Sequence, residues 1–288
     1  MLVVIAPVVD ASFLAAHPRQ VGRPLVLADV RWYLDGRDGH AAYRAGHLPG
    51  AVWVDLEHQL AARDRPATEG RHPFPDQHAF AQAMGALGIG DDTIVVAYDD
   101  AGGVTAGRLV VMLRMLGRDA ALLDGGLAAW AADGHPVHAG AEPDPVPTEF
   151  TATPWPADRL ADADETLAHA ARGGAVLDAR AHERFTGELA LIDPRPGHVP
   201  GARNAPWASV IGSDGRLLAA DRLRDHYASL GADTAVDGHT TVAYCGSGVS
   251  ACVNVLAMEH IGLIPPRLYV ASWSGWSADP ERPAEQGG

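Results

Sequence analysis

The amino-acid sequence predicts an α/β fold built twice in tandem, each copy a mostly parallel sheet flanked by helices. Two observations support this. Short apolar segments alternate with segments of helical periodicity, and the same landmarks recur in the same order in both halves of the 288-residue chain. Strands that alternate with helices predict parallel sheets, because each connection between parallel strands must cross a face of the sheet.

The repeat is carried by short motifs. Gly-His-Leu-Pro-Gly-Ala at residues 46–51 returns as Gly-His-Val-Pro-Gly-Ala at residues 197–202. We expect the histidines of these blocks, His47 and His198, to hold their turns by local hydrogen bonds rather than to bind a metal, because no second ligand follows at metal spacing. A period this long predicts a duplicated domain rather than a solenoid. The other matching pairs are residues 27–31 with 177–180, 95–98 with 241–244, and 103–106 with 248–251.

The elements of each copy follow from the residue pattern. Strands are predicted where apolar residues run together, and helices where they recur every three or four residues. In the first copy, strands are predicted at residues 25–30, 93–98 and 120–123, and helices at 80–87, 107–116 and 127–132. In the second copy, strands are predicted at residues 175–178, 240–244 and 267–270, and helices at 223–230 and 249–261.

Prolines crowd the stretch between the two copies. Proline fixes φ and lacks a backbone donor, so dense proline disfavours both helix and sheet. We therefore predict a first domain at residues 1–140, an extended Pro-rich linker at residues 141–158 and a second domain at residues 159–288.

The composition limits the classes of partner and of fold. A net charge of −14 repels nucleic acid and anionic lipid, so neither a nucleic acid nor a membrane is expected as a partner. Two cysteines, Cys245 and Cys252, exclude a disulfide framework and argue against a cysteine-based zinc site. No segment reaches the roughly 20 apolar residues of a membrane span. Residues 1–9 lack the basic start of a secretory signal, which predicts a cytoplasmic protein.

Cys245 stands where a cysteine enzyme would place its nucleophile. An apolar strand runs into a loop of small residues, and a helical pattern follows. This geometry aims backbone N–H groups and a helix N-terminus at one sulfur, and both favour the thiolate that acts as a nucleophile. Cys252 falls on the helix after the loop and is interpreted as a small buried residue.

Two features together resemble the rhodanese family of sulfurtransferases. One is the Gly-His-hydrophobic-Pro-Gly-Ala block in both halves, and the other is a cysteine that opens a tight strand-to-helix loop in the second half only. The resemblance covers nearly the whole chain. It implies two tandem rhodanese-like domains, of which the first is catalytically silent, because Asp99 and Asp100 stand where the second has Cys245.

The resemblance also implies the chemistry. Cys245 would take sulfane sulfur from a small-molecule donor as a persulfide and pass it to a thiol, to cyanide or to a thioredoxin-like acceptor. No cofactor is implied. The backbone amides of the loop, at Gly246, Gly248, Val249 and Ser250, are expected to bind the donor and to stabilise the anionic sulfur.

The loop sequence bears on the donor. Residues 245–250 read Cys-Gly-Ser-Gly-Val-Ser and resemble the 3-mercaptopyruvate branch of the family, whereas the thiosulfate branch places basic residues there. Thiosulfate is a dianion, and a basic side chain would pair its outer oxygens. No basic residue occurs from position 245 to position 259. The sequence therefore favours a monoanionic donor such as 3-mercaptopyruvate.

The resemblance implies a serine–histidine–acid relay that protonates the enolate left when mercaptopyruvate loses sulfur. Ser247 matches the serine and His72 the histidine, and Glu57 stands where the family has an aspartate. The alternative is that His72 and Glu57 are polar loop residues with no catalytic role.

Paired arginines hold the substrate carboxylate in the family. Arg184 matches the first, and Leu191 stands near the place expected for the second. Arg195 is predicted to substitute for it, with a solvated loop charge as the alternative. Arg180 is expected to make a structural pair with Asp178.

Three other functions stay open to different degrees. A thiosulfate:cyanide sulfurtransferase would share the fold and the persulfide. A phosphatase of the Cys-x5-Arg type needs an arginine where this chain has Ala251, which argues strongly against it. A sulfur-carrier or regulatory binding module would use the fold without turnover, because fold does not fix function.

Overall fold

Parallel strands form two separate sheets in this computed structural model, which describes residues 5–20, 22–190, 192–233 and 241–288. The chain divides into two units, one for each sheet. The first unit comprises Met1–Ala62, Pro75–Trp155 and Ser213–Leu217, and the second comprises Arg63–Phe74, Pro156–Gly212 and Leu218–Gly288.

The sheet of the first unit has five strands in the order β1-β5-β4-β2-β3, and every neighbouring pair is parallel. The central strand β4 is buried along its whole length, which explains its unbroken apolar sequence. The strands are β1 (Val8–Val9), β2 (Leu25–Asp29), β3 (Val52–Trp53), β4 (Ile94–Tyr98) and β5 (Ala120–Leu123). The helices are α1 (Ala11–Gln20), α2 (Gly39–Ala45), α3 (Leu56–Gln59), α4 (Gln77–Ala86), α5 (Ala106–Met115) and α6 (Gly126–Ala132).

The sheet of the second unit has the strand order β7-β6-β8-β9, which repeats the order β3-β2-β4-β5 of the first. Its neighbouring strands are again parallel. The strands are β6 (Val176–Asp178), β7 (Arg203–Asn204), β8 (Val242–Tyr244) and β9 (Arg267–Leu268). The helices are α7 (Ala163–Ala171), α8 (His182–Thr186), α9 (Ala220–Ser229), α10 (Ala251–His260) and α11 (Ser272–Ala278).

The predicted fold class, two α/β copies with parallel sheets and flanking helices, is confirmed. The two-residue strands β1, β3 and β7 were not predicted, and neither were the helices α1, α2, α3, α7, α8 and α11. The helix predicted from residue 249 begins at Ala251, since Gly248 has a φ of 74° and interrupts the helical backbone. Residue 240 of the predicted strand lies outside the described residues. Within the described parts of the chain, no helix has the length and apolar character needed to cross a membrane.

The two units exchange short segments, which a division into contiguous domains at residues 1–140 and 159–288 does not anticipate. Arg63–Phe74, from the first half of the sequence, belongs to the second unit. There the N–H of Arg71 donates to Ser274 Oγ at 3.0 Å. A Cβ on Gly70 would lie 2.4 Å from the Ala271 carbonyl oxygen, so this close approach requires glycine.

Residues 141–156 of the predicted linker form neither helix nor strand. Phe150 is nevertheless buried, and its ring packs edge-to-face on Phe80 at a centroid distance of 5.8 Å. This part of the linker is therefore extended and packed against the first unit.

A buried Asp-x-Arg pair at the end of one strand explains why the same motifs recur in both units. Asp29 accepts hydrogen bonds from both Nε and Nη2 of Arg31, and Nη2 also donates to the Gly46 carbonyl at 2.6 Å. Asp178 and Arg180 repeat this arrangement, with Arg180 donating to the Gly197 carbonyl at 2.8 Å. Each pair thus ties a strand end to the following Gly-His-x-Pro-Gly-Ala block, and the expected structural pairing of Arg180 is observed.

The histidine and tyrosine of each copy complete this attachment. His47 Nδ1 lies 2.8 Å from the Tyr43 carbonyl, and His198 Nδ1 lies 2.8 Å from the Phe185 carbonyl. The hydroxyl of Tyr98 accepts from the Leu48 N–H at 2.9 Å, and that of Tyr244 accepts from Val199 at 3.1 Å. The local hydrogen bonding predicted for both histidines is present.

Asp29→Ala is expected to lower the free energy of unfolding by about 3–5 kcal/mol, because it leaves a buried guanidinium without its carboxylate. Asp35→Ala is the matched control: it removes the same Asp-x-Arg contact where the two side chains are 60% and 65% exposed. No measurable change in the free energy of unfolding is expected for this control. Chemical denaturation of the full chain measures the free energy of unfolding of both variants. Equal losses of stability would contradict the structural role of the buried pair.

Candidate active site

Cys245 directly follows β8 and is held by the start of α11. Its N–H donates to Ser272 Oγ at 3.1 Å, and its carbonyl accepts from the Trp273 N–H at 2.9 Å. Ser272 has a φ of 54°, in the left-handed region that residues other than glycine rarely adopt, and its hydroxyl donates to the Tyr269 carbonyl at 2.9 Å. Such strained positions are concentrated at functional sites. Cys245 is only 1% exposed, so its sulfur is largely shielded from water.

The loop after Cys245 leaves several backbone donors available. In the described parts of the chain, the N–H groups of Gly246, Ser247, Val249 and Ser250 donate to no protein acceptor. Ser250 is the N-cap of α10 and makes no side-chain capping bond. The unpaired N–H groups and the positive end of the helix dipole both favour a negative charge at this loop.

Cys252 is fully buried on α10, and its thiol contacts the Gly248 carbonyl at 3.5 Å. This position agrees with the interpretation of Cys252 as a small packed residue.

The equivalent loop of the first unit already holds an anion. Asp99 follows β4 as Cys245 follows β8, and its carboxylate is 1% exposed. It accepts backbone N–H bonds of 2.8–2.9 Å from Ala101, Gly103, Thr105 and Ala106, and a further bond from Thr105 Oγ1 at 3.0 Å. The strand-loop-helix geometry of this fold therefore binds a negative group, and the first unit supplies that group from its own chain.

Two guanidinium groups cover Gly246, beside the cysteine. A Cβ on Gly246 would lie 2.9 Å from Nη2 of Arg71 and 3.0 Å from Nη2 of Arg184. Arg184, on α8, was expected near the site, whereas Arg71 comes from the exchanged segment and was not. The loop itself contains no basic residue, but folding brings two guanidinium groups to it from other segments.

Asp193 joins the two arginines. Its Oδ1 accepts from Arg71 Nη1 at 2.8 Å, and its Oδ2 accepts from Arg184 Nη2. The Asp193 side chain is 1% exposed. Burial by itself raises the pKa of this carboxyl, but the hydrogen bonds from Arg184 and Arg71 outweigh it and lower the pKa below its ordinary value. Asp193 is therefore ionised near neutral pH.

Arg195 lies away from this cluster. Its guanidinium donates to backbone carbonyls at the C-terminal end of the chain, namely Ser277 at 3.1 Å, Arg282 at 3.0 Å and Asp279 at 2.8 Å. The guanidinium therefore holds the segment of chain that follows α11. The structure therefore does not support the prediction that Arg195 substitutes for the second carboxylate-binding arginine, and Arg71 is the arginine that lies beside Arg184 at Gly246. Leu191 lies outside the described residues.

Ser247 and His72 are brought together. Ser247 Oγ lies 2.9 Å from His72 Nδ1, and His72 is 7% exposed. Both belong to the second unit, because His72 lies in the exchanged segment. Glu57 lies on α3 of the first unit, where its Oε1 accepts from Trp32 Nε1 at 3.1 Å. Its membership of the relay stays a prediction.

The sequence analysis missed Arg71, Asp193 and Ser272. Arg71 directly precedes His72 in sequence, and this adjacency was the one available signal. Asp193 lies two residues before Arg195, and no local sequence pattern marks it as part of the site. Nothing in the residue pattern predicts the left-handed backbone of Ser272.

The chain resembles proteins of one family over most of its length. A family model for the rhodanese-like domain matches residues 17–133 and again residues 162–279. A Pseudomonas aeruginosa protein described as a probable 3-mercaptopyruvate sulfurtransferase is 44% identical over 267 residues, or 91% of this chain and 93% of that protein. The Mycobacterium tuberculosis protein SseB, provisionally described as a thiosulfate sulfurtransferase, is 41% identical over 273 residues, or 93% of each chain.

Solved structures agree with this relationship. The crystal structure of SseA from Escherichia coli, described with the 3-mercaptopyruvate sulfotransferases, superposes with a TM-score of 0.79 at 30% identity. The match covers 93% of this chain and 99% of that one. The chain therefore belongs to the rhodanese-like domain family and contains the domain twice. Within the family, its relatives identify it as a sulfurtransferase.

Asp99→Asn is expected to lower the free energy of unfolding by about 2–3 kcal/mol, because an amide nitrogen would replace one of the oxygens that face the N–H donors. Asp100→Asn is the neighbouring control. Asp100 is exposed and accepts one bond, from the Tyr33 hydroxyl at 2.7 Å, which an amide oxygen can still accept. For Asp100→Asn, the free energy of unfolding is expected to fall by less than about 1 kcal/mol. Thermal or chemical denaturation tests the pair, and an Asp99→Asn protein as stable as the wild type would refute the anion-binding interpretation of this loop.

Proposed function

We propose that the protein transfers sulfane sulfur from 3-mercaptopyruvate, through a persulfide on Cys245, to a thiol or cyanide acceptor. One observation carries the proposal: Arg71 and Arg184 converge beside a cysteine whose loop, in the other unit, binds a carboxylate. A small α-keto carboxylate with a sulfur on the next carbon suits this combination of anion-binding groups and nucleophile.

In the first step, the Cys245 thiolate attacks the donor sulfur. A sulfur–sulfur bond forms while the carbon–sulfur bond of mercaptopyruvate breaks, and the electron pair of that bond passes to the enolate of pyruvate. The donor carboxylate pairs with the guanidinium groups of Arg71 and Arg184, and charge-assisted bonds of this kind orient a planar anion well. The available N–H groups of the loop stabilise the thiolate before the step and the persulfide after it.

The enolate then takes a proton on carbon to become pyruvate. The hydrogen bond between Ser247 and His72 supports a relay in which the serine hydroxyl gives its proton and the imidazole replaces it. Glu57 is proposed as the acid that supports His72, as predicted from the sequence.

In the second step, an acceptor nucleophile removes the outer sulfur and regenerates the thiolate. The shielding of Cys245 favours a small acceptor such as a thiol or cyanide, because a persulfide extends the side chain by only about 2 Å. A thioredoxin-like acceptor is the alternative.

Cys245→Ser is expected to abolish sulfur transfer, with kcat/KM lower by roughly a thousandfold or more, because the chemistry has no other nucleophile. Cys252→Ser is the matched control and should retain transfer, since that thiol is buried on α10 and contacts the Gly248 carbonyl at 3.5 Å. Intact-protein mass spectrometry after incubation with mercaptopyruvate should show a gain of one sulfur atom, removable by a thiol, in the wild type and in Cys252→Ser. If no donor adds sulfur to the wild type, the protein is a binding module and not a transferase.

Ser247→Ala and His72→Gln are expected to lower kcat/KM for mercaptopyruvate by about a hundredfold, the contribution typical of positioned proton transfer. The same variants should lower kcat/KM for thiosulfate far less, because sulfite leaves thiosulfate without protonation of a carbon atom. Steady-state kinetics with both donors make the comparison within one protein. Equal losses with both donors would show that the pair positions the loop rather than moves a proton.

A further inference from the structure

We infer that Asp193 sets the charge of the arginine pair and thereby selects a monoanionic sulfur donor over a dianionic one. The inference rests on the proposed function in one respect, that Cys245 is the sulfur-accepting group. It assigns to Asp193 a positioning and specificity role, since this carboxylate acts through the arginines and not on the donor itself.

The geometry makes Asp193 an internal counter-ion. It bonds Nη1 of Arg71 and Nη2 of Arg184, so one carboxylate is shared by two guanidinium groups. The arginine side chains are 30% and 19% exposed, against 1% for the carboxylate. The carboxylate therefore lies beneath the pair, where a donor anion cannot displace it without exposing it to water.

The shared contact leaves N–H groups of both arginines available. Nη2 of Arg71 is the atom nearest to the space over Gly246 and is not the atom that bonds Asp193. Nε of Arg184 is buried and has no hydrogen-bond partner among the described residues. A buried donor without a partner is costly, so both groups suit an incoming carboxylate.

Charge balance then decides which anion fits. A third guanidinium, that of Arg180, lies 3.7 Å from Asp193, but Asp178 already pairs with it. Three guanidinium groups thus face two carboxylates, Asp178 and Asp193, which leaves one positive charge. Thiosulfate brings one more negative charge than a single carboxylate to the same guanidinium groups and the same Cys245 thiolate. In a shielded site, where charges interact more strongly than in water, that extra charge counts against the dianion.

Two negative groups besides the donor bear on this comparison, namely Asp193 and the Cys245 thiolate. Asp193 stays ionised because its arginine partners hold it so. The Cys245 thiolate adds the same charge for either donor, so it cancels when two donors are compared on one protein. The quantity that isolates Asp193 is therefore the ratio of kcat/KM for thiosulfate to kcat/KM for mercaptopyruvate.

Three variants of the full chain test the inference. Asp193→Asn is expected to raise the ratio by about tenfold, because it adds one net positive charge beside the donor. Arg71→Gln removes one positive charge beside the donor and is expected to lower the ratio by about tenfold. The double variant restores the charge balance and should return the ratio to within about threefold of the wild type, even if both activities fall. Glu188→Gln is the control: it makes the same overall charge change from an exposed position in the same loop, and the ratio should not move.

The outcomes separate this inference from the proposed function. The wild-type ratio alone reports which donor the protein prefers, and a preference for thiosulfate would overturn the proposed donor. The change of ratio between variants reports the role of Asp193, whichever donor the wild type prefers. Parallel losses with both donors in Asp193→Asn and Arg71→Gln would overturn the inference and leave Asp193 a purely structural residue. If Asp193→Asn fails to fold in thermal denaturation, the partly exposed Arg71→Gln decides by itself.

Discussion

The loop that follows the central strand of each sheet is built to hold a negative charge, and the rest of the structure depends on it. In the first unit, Asp99 fills the loop with its own carboxylate and satisfies four N–H groups. In the second unit, Cys245 stands at the same place, and the N–H groups of Gly246, Ser247, Val249 and Ser250 donate to no acceptor among the described residues. Because the residue after the strand differs, the same loop is filled by a carboxylate in one unit and carries the proposed nucleophile in the other.

The charged groups around this loop come from segments that are far apart in sequence. Arg71 and His72 arrive on the exchanged segment Arg63–Phe74, Arg184 on α8 and Asp193 on the loop after it. Buried charges are tolerated only when they are paired, and the chain pairs each of them within the second unit. The second unit is therefore completed by a segment from the first half of the chain, so a single cut between the repeats would separate Arg71 and His72 from Cys245.

The residues that favour a monoanionic donor are not those of the cysteine loop itself. The relatives include proteins described for mercaptopyruvate and for thiosulfate, so similarity alone does not choose between them. The uncharged loop favoured a monoanion, but two guanidinium groups stand over it. The same preference now rests on Asp193, which reduces the charge of the pair. The proposed donor is still 3-mercaptopyruvate, but the preference is attributed to Asp193 and not to the uncharged loop.

The sequence by itself determined the α/β class, the duplication and the family, and it singled out Cys245 as the proposed nucleophile. These follow from periodicity and from short motifs, which act over a few residues and are visible in any window of the chain. It also brought Ser247 and His72 together correctly, through the family resemblance. Only the tertiary structure decided that Arg71 and not Arg195 reaches the loop, that Asp193 lies beneath the arginines, and that Ser272 adopts a left-handed backbone. A long arginine side chain has the same local signature whether it caps a chain end or binds an anion, and its role is set by the acceptors that folding brings within reach.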